Sequence, residues 1–460
     1  MDPTWIPYPD FINPGDNAWQ MTAATLVGLM SVPGLAVLYG GVMQKRWSVN
    51  SMMMTFVAFA LVLITWSVVG FKFAFGDPMH ILGHSSGILG NMWGIPSSIL
   101  GTGAEQKQAL IPLISTGPAF NFSQSTLVYF QFVFAAITPI LMLGSVLGRI
   151  NFKAWIPFVL LWSTLIYTVN AFMIWGGGWW AQRGALDFSG GYVIHLAAGV
   201  SGFVAAAVIG PRLKRDREVD APNNLLMVAV GAGLLWMGWN GFNGGDPYYA
   251  GADAALAILN TNLACAIAFL AWIACDYLTG HKPSLIGGVN GIITGLVAIT
   301  PGAGFVNGWG ALAIGLFGSI IVYFALNYLS RVRPFRNVDD TLGVVYTHGF
   351  AGLAGGLMVG LFADPNIILY KATGGGATDL PGFLSVFNGG SWELLKDQAV
   401  TALWVIGFCA IGTFILLKLI GLVIPLRMKE EDMEEGDVAV HGHEVYPSDV
   451  PSLAYPSGTR

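Results

Sequence analysis

The feature that most constrains this chain is a series of apolar segments, each about 20 residues long, along nearly its whole length. About 20 apolar residues in an α-helix cross the hydrocarbon core of a bilayer, with every backbone polar group hydrogen-bonded inside the helix. We predict eleven such spans, at residues 18–42, 50–75, 124–148, 153–175, 190–211, 223–243, 255–278, 284–303, 306–330, 342–363 and 396–424.

The composition supports a membrane environment. Of the 460 residues, 54% are hydrophobic and only 10% are charged, whereas a soluble domain carries about 25% charged residues. So few charges cannot form the polar surface that a soluble protein of this length needs. The predicted fold class is therefore an all-α integral membrane protein. The net charge of -5 includes no basic stripe, so we expect no nucleic-acid partner.

The basic residues indicate the orientation of the chain. If the N-terminus lies outside, fifteen lysine and arginine residues fall on the cytoplasmic side and four on the outer side. Cytoplasmic loops of membrane proteins carry such an excess of positive charge. Because one missed or extra span would remove the asymmetry, it supports eleven crossings, with the N-terminus outside and the C-terminus inside.

One motif occurs twice, 153 residues apart. Asp187 precedes His195 by eight residues, Asp340 precedes His348 by eight residues, and H-x-x-A-G-x-x-G follows in both places. Each copy lies in the fifth span of a five-span block. Since a block of five spans reverses direction, the second block is inverted relative to the first. Small residues three, four and seven positions after each histidine share one helix face, which favours close helix packing.

This repeat defines the predicted domain organisation. Repeat one covers residues 18–211, repeat two covers 223–363, and an eleventh helix at 396–424 lies outside both. Together they form a transmembrane domain, 1–424, followed by a cytoplasmic tail, 425–460. The tail contains an acidic run that we interpret as a solvated segment, and a cytoplasmic regulator acting on it is a further hypothesis.

Of seven histidines, only His195 and His348 lie within predicted spans. An ionisable residue there costs several kcal/mol if charged and unpaired, so it suggests a functional site. Such histidines can relay protons or form neutral hydrogen bonds between helices, and both interpretations remain open. Two histidines without Asp, Glu or Cys at ligand spacing do not predict a metal site. We find no catalytic or cofactor-binding motif, so we expect neither an enzyme nor a cofactor.

Several segments resemble the signature of the ammonium transporter family (Amt/Mep/Rh), most like its Mep-like plant branch. They are residues 175–195, 238–245, 282–285 and 339–349. The resemblance extends from the first span to the tail. It implies uptake of ammonium as a nitrogen source, an eleven-helix fold, and a homotrimer with one pore channel in each subunit. We expect this homotrimer in the plasma membrane.

The resemblance also implies roles for individual residues. Trp175 would form the aromatic wall of the outer ammonium site, with Phe130 as a flanking ring and Asp187 as its acid. The gate would consist of two rings, Phe134 and Phe242. The pore would be lined by the twin histidines, His195 and His348, and by Trp239 and Thr300. Asp340 is the repeat counterpart of Asp187.

One position departs from the family pattern. Where many members have a serine after the F-N-x-G run, this chain has Asp246 followed by Pro247. The carboxylate could accept hydrogen bonds from ammonium as part of the outer site, or it could cap the next helix. Both interpretations remain open from the sequence.

The implied chemistry is physically coherent. Aromatic faces attract cations with roughly 0.5–2 kcal/mol, whereas an apolar pore opposes any ion by desolvation. Ammonium can lose a proton and cross as ammonia, which potassium cannot do. The sequence leaves open whether the net species is NH3, NH4+ or NH3 with a proton. Two alternatives are an ammonium sensor that signals through its tail and a transporter of another small amine.

Overall fold

The protein is described by a computed structural model over residues 9–101, 103–114, 120–218, 221–367 and 384–446. Within these ranges, ten helices are long and apolar enough to cross a membrane, one apolar helix is shorter, and no β-strand occurs. In chain order these helices are α1 (Pro14–Val42), α2 (Lys45–Phe75), α3 (Gln124–Leu143), α4 (Phe152–Gln182), α5 (Gly191–Ile209), α6 (Leu225–Gly244), α7 (Ala252–Leu278), α8 (Leu285–Ile299), α9 (Gly308–Arg331), α10 (Val345–Phe362) and α11 (Glu393–Gly421).

Ten of the predicted spans coincide with the ten long helices, which confirms an all-α integral membrane protein. The remaining span, 284–303, coincides with the shorter helix α8. Its 15 residues rise about 22 Å, less than the roughly 30 Å of a typical hydrocarbon core. A turn at residues 300–305 separates α8 from α9. The count of eleven crossings and the orientation of the termini therefore stay predictions.

Polar side chains mark where several helices begin. The Asn13 side chain accepts hydrogen bonds from the amides of Gly15 and Asp16 at the start of α1. At the start of α6, Asn224 accepts from two further backbone amides, and Asn307 accepts from one at the start of α9. Asparagine is favoured at such positions because the first amides of a helix have no partner within it.

The two repeated segments, α5 and α10, are in direct backbone contact. A Cβ atom at Gly199 would overlap Gly349, and one at Gly352 would overlap the carbonyl oxygen of Gly191. Gly199 follows His195 by four positions, and Gly352 follows His348 by four positions. Their small size therefore allows the close helix approach that the repeated motif predicts, and it brings the two histidines towards each other.

The connection at 76–123 contains only short helices in its described part, as expected for a folded loop. Beyond α11, the tail forms two short helices, α12 (Glu430–Glu435) and α13 (Asp437–His441). Asp437 accepts hydrogen bonds at 2.8 Å from the amides of Val49 and Asn50, near the start of α2. Burial raises the pKa of the Asp437 carboxyl to about 6. Residues 447–460 of the predicted tail lie outside the described residues.

Candidate functional site

Trp175 lies at a break in α4. Residues 175–178 leave the helix, and no Cβ would fit at Gly176 or Gly178 because backbone atoms lie too close. The indole nitrogen of Trp175 donates a 2.7 Å hydrogen bond to the carbonyl oxygen of Asp187. The indole ring lies nearly perpendicular to the ring of Phe134, at 6.0 Å between ring centroids.

A continuous series of aromatic contacts leads inward from Trp175. Phe130 packs edge-on against Phe134 at 4.9 Å, and Phe134 contacts Phe242 at 4.5 Å. Phe242 stacks on Trp239 at 4.9 Å between centroids. The side chains of these four residues, which belong to α3 and α6, are buried. The two predicted gate rings are therefore in direct contact with each other.

The two repeated histidines meet at the end of this series that lies away from Trp175. Their rings stack at 5.3 Å, with the Nδ1 atoms 3.2 Å apart. His195 also stacks on Trp239 at 5.4 Å and on Phe242 at 5.8 Å. His195 is fully buried, whereas His348 is 7% exposed. The spacing of the motif thus places two imidazoles side by side against aromatic rings.

The Nδ1–Nδ1 contact fixes what the pair offers to a ligand. If both rings are neutral, one Nδ1 donates a proton to the other. The donating ring then has an acceptor at Nε2, and the accepting ring has a donor there. The His195 Nε2 atom is buried and has no hydrogen-bond partner among the described residues. One free donor and one free acceptor therefore face the surroundings of the pair.

The side chain of Thr300 is hydrogen-bonded to that of Trp239. Its hydroxyl donates to the carbonyl oxygen of Leu296 at 2.7 Å and accepts from the indole nitrogen of Trp239 at 2.9 Å. The proton of the hydroxyl is thus occupied by the backbone. The geometry indicates that Thr300 holds the indole plane against His195.

The two repeat acids lie at the starts of α5 and α10. Asp187 accepts four backbone hydrogen bonds, from residues 190, 191, 192 and 193, at 3.1, 2.6, 2.9 and 2.9 Å. Asp340 accepts one at 2.8 Å, from Val345, and no described residue lies at hydrogen-bond geometry to its buried Oδ1 atom. The Ser145 hydroxyl and the Val344 amide lie beside this carboxyl. The acids share a position but differ in how fully they are bonded.

A cavity of about 420 Å³ borders the histidine pair. His348, Trp239 and Asp340 line it, together with Tyr39 and Asn290. The Tyr39 hydroxyl donates to the carbonyl oxygen of Ile140 at 2.9 Å. The cavity therefore reaches His348, whereas His195 is not among its lining residues.

Asp246 follows the end of α6. It is 9% exposed, and its buried Oδ2 atom has no hydrogen-bond partner in the part of the chain that the structure describes. The helix after it, α7, has Gly251 at its N-cap and no side-chain cap hydrogen bond. The interpretation of Asp246 as a helix cap is therefore wrong, because the chain continues for several residues before α7 begins.

Several polar residues at this end of α6 could not be assigned from the sequence. The Ser189 hydroxyl donates to the carbonyl oxygen of Phe242 at 2.8 Å, and the Gln131 amide donates to the Tyr248 hydroxyl at 2.8 Å. Ser189 is close to Asp187 in the chain, which is a weak signal. Gln131 and Tyr248 are 117 residues apart and share no motif. In the described ranges, no group of three or more His, Cys, Asp and Glu could hold a metal ion.

Comparison with known proteins places this geometry in a family. Residues 18–446 match the model of the Ammonium Transporter Family. The chain is 46% identical to "Ammonium transporter 2" of Arabidopsis thaliana, covering 97% of this chain and 90% of that one. It is also 46% identical to "Ammonium transporter 2 member 1" of Oryza sativa subsp. japonica, covering 95% and 88%.

Solved structures agree with these relatives. The crystal structure of Saccharomyces cerevisiae Mep2 superimposes with a TM-score of 0.77 at 27% identity, covering 92% of this chain and 89% of that one. A structure titled "Sensor Amt Protein" also gives a TM-score of 0.77, at 24% identity with 92% and 96% coverage, and shows the shared fold. This chain therefore belongs to the Ammonium Transporter Family.

Proposed function

We propose that this chain transports ammonium across the membrane through a path that runs from Trp175, past the two histidines, to the inner cavity. One observation carries the proposal. Aromatic contacts lead without interruption from Trp175 through Phe134 and Phe242 to His195, and its partner His348 borders the cavity. Membership of the ammonium transporter family supports the choice of substrate.

The outer end of the path would recruit ammonium. The rings of Trp175 and Phe130 supply aromatic surface, and such surface attracts a cation with roughly 0.5–2 kcal/mol. The nearby carboxyl of Asp246 is mostly buried. Asp187 has a different role in this proposal. Its carboxyl holds the start of α5 through four amides, which positions the backbone behind the site.

The gate rings explain why a cation would not simply pass. Phe134 and Phe242 are in contact and buried, so a hydrated ion must lose its water to move inward. Desolvation of an unpaired charge costs far more than a ring contact returns. Ammonium avoids this cost by giving up a proton to solvent water on the outer side and continuing as ammonia. Potassium has no such route, so selectivity follows from acid–base chemistry.

The histidine pair suits ammonia as a ligand. Ammonia has one lone pair and three N–H groups, and the neutral pair offers one donor and one acceptor at its Nε2 atoms. The 3.2 Å contact between the Nδ1 atoms also connects the rings for proton exchange. Holding ammonia predicts flux without current, whereas proton relay predicts current coupled to flux. Simultaneous recording from reconstituted vesicles distinguishes these two mechanisms.

We further propose eleven crossings, with the N-terminus outside and the C-terminus inside, in a plasma-membrane homotrimer. In this arrangement residues 1–424 form the transport domain and 425–460 the cytoplasmic tail. The distribution of lysine and arginine supports the orientation. Large apolar side chains on the outer surfaces of several helices support contact with lipid or with another subunit, among them Leu226, Leu278, Trp309 and Leu403.

Growth of cells that lack their own ammonium transporters tests the proposed function. Expression of this chain should restore growth on low ammonium and should give saturable uptake. His195→Ala should lower the selectivity of uptake for ammonium over potassium at least tenfold. His84→Ala is a matched control because His84 is exposed in a loop, and it should transport normally. Normal surface expression without any ammonium uptake by the unsubstituted chain would contradict the proposal.

A second candidate function is an ammonium sensor that signals through the tail. Contacts between the tail and the start of α2 favour it, including a 3.2 Å ion pair between Lys45 and Glu444 and the two hydrogen bonds to Asp437. A sensor alone would give no ammonium flux in reconstituted vesicles. A competition experiment tests whether the chain instead transports another small amine. In that case methylammonium or a larger amine would inhibit uptake of the labelled substrate at a lower concentration than ammonium does.

A further inference from the structure

A second cavity, of about 630 Å³, shares no lining residue with the cavity at His348. The start of α2, the connection between α5 and α6, and the tail beyond α13 each contribute to its wall. Because four long helices separate the α1–α2 connection from the α5–α6 connection, both lie on the same side of the bilayer. A cavity of this volume is large enough for a small-molecule ligand.

Positively charged side chains dominate this cavity, which we call the basic cavity. Lys45, Arg46 and Arg215 line it, against two acids, Asp216 and Glu444. Arg46 and Arg215 both pair with the Oδ1 atom of Asp216, Arg215 at 3.7 Å. The Asp216 side chain is only 3% exposed. It therefore brings two guanidinium groups together from below the surface, and adds little negative charge to the face that a ligand would meet.

The two guanidinium groups keep much of their hydrogen-bonding capacity. Each has five N–H donors. Arg46 donates to Asp216, and its buried Nε atom has no acceptor among the described residues. Arg215 donates to the carbonyl oxygen of Glu434 at 3.2 Å, and its side chain is 52% exposed. Guanidinium groups with unused N–H donors are well suited to bind phosphate oxygens in pairs.

Two other arginines in the connections between helices differ from this pair. The Arg149 side chain is fully buried and donates to four carbonyl oxygens and one hydroxyl. Arg212 pairs with Asp339 at 2.9 Å, and both side chains are 9% exposed. These two arginines hold parts of the chain together. The cations of the basic cavity, in contrast, are partly exposed and can bind a ligand.

The tail supplies one anionic group to the basic cavity. Glu444 pairs with Lys45 at 3.2 Å, and both side chains are 54% exposed. The Nζ atom of Lys45 also lies over the ring of Tyr446, at 5.8 Å from its centroid. The cavity thus accommodates an anionic group beside Lys45. An ion pair this exposed is weak, so a ligand with more negative charge than one carboxylate can displace it.

We propose that the basic cavity binds an anion that carries two or more phosphate groups, and that this anion displaces Glu444 from Lys45. A phosphate group carries roughly 1.5–2 negative charges near neutral pH and has three acceptor oxygens, which suits cations with unused donors. Several charges are needed because Glu444 is attached to the chain and competes at a high effective concentration. Phosphorylated lipid headgroups bind in basic pockets between membrane helices, and a soluble phosphorylated compound offers the same chemistry. The inference goes beyond the proposed transport function.

Binding of two phosphorylated probes to the purified full-length chain tests this site. One is inositol trisphosphate in solution, and the other is a phosphatidylinositol bisphosphate in phosphatidylcholine nanodiscs. Lys45→Gln combined with Arg215→Gln should raise the Kd about tenfold or more. Glu444→Gln should lower the Kd about threefold, because it removes the competing carboxylate. Lys282→Gln is the matched control, since Lys282 is an exposed cation that does not line the cavity, and its Kd should equal that of the unsubstituted chain.

Thermal unfolding of each purified variant separates lost binding from lost folding. Binding of the nanodisc lipid alone identifies a lipid headgroup as the ligand, and equal binding of the soluble probe identifies a soluble compound; both results support the site. No binding of either probe overturns the inference, and so does a Kd that is the same in the double variant and in the control. If the double variant does not fold, Glu444→Gln decides, because Glu444 is exposed. A lowered Kd in that variant supports the site, and an unchanged Kd overturns it.

Discussion

Asp187 and Asp340 occupy matching positions in the two copies of the repeated motif, yet their surroundings differ. Asp187 accepts four backbone hydrogen bonds at the start of α5, whereas Asp340 accepts one, from Val345. The two histidines also differ in how fully their surroundings enclose them. His195 is enclosed by aromatic rings and by its partner, whereas His348 borders the cavity. One sequence pattern thus forms a closed half and a more open half.

The difference teaches that the repeat conserves backbone geometry more strictly than it conserves chemistry. In both copies the acid lies at the start of the helix that carries the histidine, and the glycine four residues after the histidine allows the helices to meet. The hydrogen-bonding capacity that remains is unequal. We therefore expect Asp187 to contribute mainly to stability and Asp340 mainly to the environment of the cavity.

The largest expected effect concerns the two acids. Asp187→Ala leaves four buried amides without their acceptor and should lower the free energy of unfolding by about 4 kcal/mol. Asp340→Ala loses one such bond and should cost about 1 kcal/mol. Thermal unfolding of the two purified variants in detergent measures the difference. Equal losses would show that the two halves do not differ in the way the hydrogen bonds indicate.

The histidine pair gives the next largest effect. Because the rings share one hydrogen bond, His195→Ala and His348→Ala should each lower selectivity for ammonium over potassium at least tenfold, about the value of one such bond. The double variant should lose little more than either single variant, since residues that act as a unit are not additive. Flux from reconstituted vesicles measures all three, with His84→Ala as the control. Additive losses would mean that the histidines act independently.

Much of this comparison could be predicted from the sequence. Runs of apolar residues located the helices, and the eight-residue spacing from acid to histidine located both members of the pair. The meeting of α5 and α10 followed from small residues at Gly199 and Gly352. Such features are predictable because hydrophobic length and side-chain size act locally along a helix.

The rest depends on contacts between distant parts of the chain. The sequence could not show that Arg149, which directly follows the predicted span 124–148, would be fully buried and hydrogen-bonded to the carbonyl oxygen of Gly210. It could not pair Gln131 with Tyr248, or decide between a cap and a ligand for Asp246. It also gave no sign that Asp340 would be less fully bonded than Asp187, because identical spacing predicts identical partners.

Accessibility sharpens the comparison between the histidines. In single variants, His348→Cys should react with a small water-soluble thiol reagent several-fold faster than His195→Cys, because only His348 borders the cavity. The three native cysteines, Cys265, Cys275 and Cys409, are buried, so background labelling should be slow. Labelling followed by mass spectrometry gives both rates. Equal rates would show that the cavity extends past the pair.

The smallest expected effect is the pH dependence of stability that Asp340 contributes. Burial raises the pKa of its carboxyl above the usual value, so between the two pKa values the folded state binds more protons than the unfolded state. Stability from this group should therefore be full at low pH and should fall as pH rises from about 4 through the raised pKa. Because the residue is only partly buried, we expect a loss of about 0.5–1 kcal/mol.

Asp340→Asn should remove this contribution, so unfolding temperatures of the variant and the unsubstituted chain should diverge with pH. The comparison isolates Asp340 because the other buried acids are present in both proteins. A parallel measurement on Asp187→Asn should show a large loss at every pH, since an amide oxygen cannot replace two carboxylate oxygens that hold four amides. If Asp340→Asn instead followed the same pH profile as the unsubstituted chain, the pKa of the Asp340 carboxyl would not differ between the folded and the unfolded state.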